Sequence, residues 1–205
     1  MIEVGSNTDP ILRLVDGNGH RKGKYVALSH CWGILDESRR FCTYQNNLDE
    51  FKQHIDFDRL PNTFKDAVRI TRNLGIRYLW IDSLCIIQND EDDWEEESRR
   101  MEHVFSSAYC TLAASSAKSS DVGFLQERQP RPCIKIDTVD KGSFYVCPAI
   151  DNFHVDVQEG VLNERGWVLQ ERALSRRSIH FTSGQVYFEC GQGVHCETLT
   201  KLLKY

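Results

Sequence analysis

"TFKDAVRITRNLGIRYLWID" (residues 63–82) carries two local codes in succession. Phe64, Ala67, Val68, Thr71 and Leu74 recur at helical spacing. Thr63 is placed to cap that helix, with Asp66 three residues on as an imperfect capping box. Gly75 supplies a left-handed stop. "IRYLWID" then runs nearly unbroken as apolar residues, the signature of a strand buried on both faces. Upstream, "KYVALS" (24–29) has the same character. Downstream, an acidic segment opens a second helix to about Ala108, and "YCTLAAS" (109–115) is a third strand-like run. Strand, helix, strand, helix, strand predicts an α/β fold, a mostly parallel sheet flanked by helices.

Around this unit the signals are weaker. "ILRLVDGNGHRKGKYVALSHCWG" (11–33) reads as strand, Gly-rich turn, strand, and a short helix is expected near Leu48 to His54. After about Ser120 the pattern becomes β-rich. "CIKIDTVD" and "SFYVCPAI" read as strands joined by a Lys-Gly-Ser turn, and "NERGWVLQERALS" reads as a helix. "SIHFTSGQVYFEC" reads as a hairpin around Ser183-Gly184. No Pro/Ser linker separates the α/β part (about 20–120) from the β-rich extension (121–205), so residues 1–205 are expected to form one domain.

Composition excludes several classes. The chain has 205 residues, 40% apolar and 27% charged, as in an ordinary globular protein. A net charge of -5 offers no basic field for nucleic acid. No apolar run is long enough for a membrane span, and the N-terminus lacks a basic-then-apolar secretory leader, so a cytoplasmic protein is expected. All eight cysteines (31, 42, 85, 110, 133, 147, 190, 196) are accordingly expected to be reduced. Cys190, His195 and Cys196, with His180, could make a zinc site, but the spacing is not that of paired zinc knuckles, and no metal is expected. His30-Cys31 invites a thiol-nucleophile reading, but neighbours on a strand point to opposite faces.

Seven of the eight residues from Asp90 to Glu97 are carboxylates. Most suit the start of a helix, where exposed amides favour negative charge. Glu97 is different. Trp94, Met101, Val104, Phe105 and Ala108 fall on one helical face, and Glu97 and Ser98 complete it. A carboxylate on an apolar face is expensive unless paired. Glu97 is therefore either in a salt bridge, to Arg165 or Arg172, or at a cleft where desolvation raises its pKa. The cleft is expected beyond the carboxyl ends of the strands. There Ser29, His30, Cys31, Trp32 and Gly33 would meet Asp82, Ser83, Cys85 and Gln88. In the later block, Arg165 or Arg172 could hold phosphate as a planar fork. Trp167, Gln170, Glu171 and Leu174 share a helical face; a buried Arg–Glu pair with Trp167 on the core is the purely structural account. Arg176, Arg177 and His180 read as a solvated surface.

Three segments, "YVALSHCWG" (25–33), "LGIRYLWIDSLCIIQND" (74–90) and "RGWVLQERALSRR" (165–177), resemble the three signature blocks of the fungal heterokaryon-incompatibility (HET) domain. The resemblance runs from about Tyr25 to Cys190 and departs from the family pattern at His30, often tyrosine there, and at Ile87, often asparagine. It implies a role in non-self recognition and programmed cell death. It also implies remote kinship to TIR domains, with a TIR/flavodoxin-like sheet; some of these hydrolyse NAD through one glutamate. On that analogy Glu97, with Asp82 second, is the candidate catalytic carboxylate. It would stabilise an oxocarbenium-like ribose as neutral nicotinamide leaves. Ser29, Trp32, Gly33, Ser83, Cys85, Gln88, Arg165, Trp167, Gln170, Glu171 and Arg172 are the candidate nucleotide contacts. No glycine-rich dinucleotide fingerprint is present, so NAD is expected as substrate and not as a resident cofactor. The other reading is a non-enzymatic module that signals by self-association or through a partner domain.

Overall fold

A computed structural model describes residues 1–16, 23–34, 40–128, 132–138, 142–198 and 201–202. The Gly-rich turn expected within 17–22 and Lys141 of the Lys-Gly-Ser turn lie outside the described residues.

Among the described residues eleven strands occur: β1 (Ile2–Glu3), β2 (Arg13–Leu14), β3 (Tyr25–Ser29), β4 (Tyr78–Trp80), β5 (Cys110–Ala113), β6 (Ile134–Thr138), β7 (Gly142–Val146), β8 (Arg177–Phe181), β9 (Val186–Cys190), β10 (Gly193–Cys196) and β11 (Lys201–Leu202). The helices are α1 (Leu48–Gln53), α2 (Asn62–Asn73), the single turn α3 (Asp82–Cys85), α4 (Glu91–Ser107) and α5 (Gly166–Leu174). Nine strands make one sheet in the order β11-β10-β9-β8-β5-β3-β4-β1-β2, and among the described residues β6 pairs only with β7. β4, β3, β5 and β8 are parallel to one another, and antiparallel strands extend both sides. The architecture is mixed α/β with a mostly parallel centre, as the strand-helix alternation predicts.

Among the parallel strands the spatial order is second, first, third, fourth in chain sequence. The connection leaves β3 toward β4 on one side and crosses back to β5 on the other. That is the topological switch point of doubly wound sheets, where a crevice opens at the carboxyl ends. The two crossovers lie on opposite faces. Val26, Leu28, Leu79, Ile81 and Leu112 pack against Phe64, Ala67 and Val68 of α2. Ala27 and Trp80 pack against Phe105 and Ala108 of α4, with Leu174 of α5 alongside. Strand alternation therefore sends Ser29 to the α4/α5 face.

Several local expectations need correction. Thr63 and Asp66 do not form a capping box, because α2 begins one residue earlier and Pro61 precedes it. Thr63 Oγ1 instead donates to Ser119 O and accepts from Gly123 N, and Asp66 Oδ2 accepts from Phe124 N and Leu125 N. Both side chains anchor the loop after β5. Gly75 ends α2 at φ 68°, as predicted. The apolar stripe of α4 holds only over its last two turns; Trp94 is 50% exposed. Cys133 and Cys147 are not reduced but form a disulfide across the β6–β7 hairpin, where their Cα atoms lie 4.4 Å apart. His180 is buried, not on a solvated surface, because β8 is an interior strand. Among the described residues no helix is long and apolar enough to cross a membrane.

Candidate active site

The ends of β3 and β4 meet as the strand reading expected. Asp82 is the hub. Trp32 Nε1 donates to its Oδ2 at 2.9 Å, and Ser83 N donates to its Oδ1 at 2.7 Å. His30 Nδ1 lies 3.8 Å from Asp82 Oδ1. The His30 ring is buried edge-on against Phe64, and neither ring nitrogen has a hydrogen-bond partner. Burial pushes the His30 pKa down to about 4, against the pull of Asp82 and with the repulsion of Arg165, so the ring is neutral near pH 7. Ser29 is buried, and its hydroxyl lies beside the Glu171 carboxyl, outside good hydrogen-bond geometry. Ser83 is buried, and its hydroxyl makes no hydrogen bond.

The other candidates from these two segments make structural contacts. Gln88 Nε2 donates to Ile86 O at 3.0 Å and more weakly to Asp82 O, tying the turn after β4 to itself. Gly33 has φ 84°, and a Cβ there would come within 2.4 Å of Ser119 Cβ. It allows close passage of the loop after β5. Cys85 lines a different cleft, and burial raises its thiol pKa.

A second wall comes from α5. Its inward residues are Val168 and Glu171, because these are the buried positions of a nine-residue helix. Trp167, at 56% exposed, and Gln170 point outward, so Trp167 does not lock the helix to the core. Glu171 is only 6% exposed, and its Oε2 has no hydrogen-bond partner. Burial raises its pKa to about 7; Asp82 adds to the rise, while neighbouring Ser29 and Arg165 oppose it. Arg165 donates to His30 O, bridging the start of α5 to the end of β3. The Arg–Glu pair expected of this block exists, but Arg172 finds its partner on β9. Its Nε and Nη2 bond Glu189 at 2.8 and 3.1 Å, and His180 Nε2 lies 3.0 Å from the same carboxylate. These partners hold the Glu189 carboxyl well below its usual range despite burial.

Glu97 does not join this group. It is half-buried, and its partner is Arg100 of its own helix at 2.9 Å, neither Arg165 nor Arg172. It lines a cleft of about 810 Å³ with Tyr25, Trp80, Cys85 and His103, whereas Ser29 lines a separate cavity. The physical reason is register: with Trp94 exposed and Phe105 the fully buried residue of α4, the first turns of the helix do not bury the face that carries Glu97, and Arg100 lies one turn on to pair with it.

The carboxylate beside Ser29 and Asp82 is therefore Glu171. Sequence reading placed it among nucleotide contacts and not as the acid, because apolar periodicity over nine residues does not distinguish a face led by Trp167 from one led by Val168. The Glu189–His180 contact was also missed; the available signal was strict alternation in "RSIHF" and "VYFEC", which puts Ser178, His180, Tyr187 and Glu189 on buried positions. The cavity bounded by Ser29, Thr111, Ser178, His180 and Arg172 measures about 10 Å³, room for one water and far below what a nucleotide occupies. Among the described residues no cluster of three His, Cys, Asp or Glu side chains is arranged for a metal.

Residues 25–171 match the family described as "Heterokaryon incompatibility protein (HET)". No curated protein and no solved structure matches the chain.

Proposed function

The chain belongs to the heterokaryon incompatibility family, and from that premise we propose that this fungal cell-death domain acts in the cytoplasm as a TIR-like, NAD(P)-cleaving hydrolase that uses Glu171. The observation that carries the reading is the position of Glu171. It is a buried carboxyl with an unpartnered oxygen, at the switch point of the sheet, between Ser29 and Arg165. A buried carboxyl whose pKa is shifted by burial and a neighbouring charge marks a candidate functional site.

In the proposed reaction the bond between ribose C1′ and the nicotinamide nitrogen breaks. The electron pair leaves with nicotinamide, which departs neutral. The Glu171 carboxylate stabilises the oxocarbenium-like ribose and takes a proton from the attacking water, leaving ADP-ribose. Asp82 holds Trp32 and repels Glu171; Arg165 is the nearest guanidinium for a phosphate. Glu171 is almost wholly buried, and the cavity at Ser29 admits one water and is not lined by Glu171, so catalysis needs α5 to move off the sheet. Opening hydrates Glu171 and returns it to the charged form the reaction uses.

The closed cavity also favours a second reading, a module that works by association without turnover. The two are separated by incubating the protein with NAD, dilute and clustered on a multivalent support, and following nicotinamide release. The hydrolase reading expects release when clustered, abolished by Glu171→Gln and largely retained in Glu97→Gln. No release from the clustered protein leaves the module.

A further inference from the structure

The β6–β7 hairpin stands as a separate two-stranded sheet. Its cross-strand pairs sort its faces. Ile134 opposes Val146 and Ile136 opposes Phe144, while Lys135 opposes Tyr145 and Asp137 opposes Ser143. The first face is apolar, and all four of its side chains are exposed. Two-stranded sheets are marginal in water unless a further strand or layer joins them. Here the Cys133–Cys147 disulfide clamps the open end instead.

We infer that the free edge of β6 pairs with β6 of a second copy of this chain, antiparallel, about a two-fold axis at Ile136. The backbone phase allows it. Cys133 and Cys147, with Cα atoms 4.4 Å apart, have the close spacing of a non-hydrogen-bonded pair. By alternation Lys135 and Asp137 are in the same phase, so their N–H and C=O groups point away from β7 toward the free edge. With the axis at Ile136, Lys135 of each copy faces Asp137 of the other, and the two pairs exchange four backbone hydrogen bonds.

Charge selects this register. Lys135 Nζ and Asp137 Oδ1 already bond within one strand at 2.9 Å. In the pair they can do so across strands, twice, one cation opposite one anion. On the other face Ile136 meets Ile136, and Ile134, Ile136, Phe144 and Val146 of both copies form one continuous apolar surface. Pairing through β7 about Phe144 would set Ser143 against Tyr145, with no charge complement. The contact is isologous, so it closes as a dimer. It is independent of any chemistry at Glu171.

Sedimentation velocity on the full chain tests it with a charge swap. The wild type is expected to self-associate. Lys135→Asp alone sets two acids opposite two acids, and Asp137→Lys alone sets two lysines opposite two lysines. Each is expected to weaken self-association roughly ten-fold or more. An equimolar mixture of the two variants restores both opposite-charge contacts and is expected to recover association. The positions are exposed, so both variants should melt as the wild type does. A monomeric wild type at high concentration, single variants that associate like the wild type, or a mixture that fails to recover would each overturn the proposal; the first would also hand the apolar face to a different partner.

Discussion

Replacing Glu171 by glutamine should stabilise the fold at pH 8 and leave it unchanged near pH 4. Burial moves this carboxyl from 4.5 to about 7. At about 1.36 kcal/mol for each tenfold change in proton affinity, the native state disfavours the charged form by about 3 kcal/mol. The folded chain holds the proton more tightly than the unfolded chain. Stability is therefore lost as pH rises from about 4.5 through about 7, and the loss is complete above that. Glutamine is neutral throughout and removes the loss while keeping the shape. For a chain of this size each kcal/mol moves the melting temperature by about 2–4 °C, so the variant should melt roughly 6–12 °C above the wild type at pH 8. Differential scanning calorimetry across pH 4 to 8 measures the difference between the two proteins, which cancels the titration of every other group. A difference that does not grow with pH, or a variant less stable at pH 8, would mean that the carboxyl is solvated or paired and would refute the placement of Glu171.

Truncating Arg172 to alanine leaves Glu189 with His180 as its remaining strong partner and should cost about 3 kcal/mol in urea unfolding at pH 7. Because Glu189 is held below its usual range, the stability it contributes is present above about pH 4.5 and lost as pH falls below it; Glu189→Gln should flatten the acid limb of the wild-type stability curve. Gly33→Ala should destabilise by about 1–3 kcal/mol, through left-handed strain and the clash with Ser119, a loss visible in thermal melts without any nucleotide present.

The parts of this fold that were legible in the sequence are those where one physical effect dominates. "YVALS" and "IRYLWI" are buried on both faces, so their apolar runs are unambiguous, and Gly75 stops α2 where a positive φ is needed. From these and the crossover rules the meeting of Ser29 with Asp82 follows. What was illegible depends on which of two near-equal faces a helix turns inward. An α4 register anchored on Trp94 fails because that side chain is half exposed, and the inward placement of Glu97 fails with it. On α5 the large Trp167 outweighed Val168 as an apolar marker, and only the packed structure shows Val168 against Cys31, Ala113 and Leu162. The disulfide was illegible for a different reason: two cysteines fourteen apart are bridged by hairpin register, and compartment reasoning argued against it.

The same packing says which element can move. α2 is fixed by Phe64, Ala67 and Val68, all fully buried. α5 fully buries only Val168 and the disfavoured Glu171, half-buries Leu174 against Trp80 and Phe105, and presents Trp167 and Leu169 to solvent. Polar grips do the rest of its anchoring: Arg165 on His30 O, Arg172 on Glu189, and Ser175 on Thr111 at 2.6 Å. Such bonds exchange with water at about 1 kcal/mol each net, or somewhat more for the charged ones. Lifting α5 would also relieve about 3 kcal/mol held in Glu171 above pH 7. An event that covers Trp167 and Leu169, such as clustering of many copies, would therefore draw on both terms. If the hydrolase reading holds, replacing Trp167 and Leu169 by serine should suppress nicotinamide release from the clustered protein while the fold is kept with a melting temperature lowered by only a few degrees, since both side chains are mostly exposed. Unaltered release from that double variant would remove α5 as the moving part.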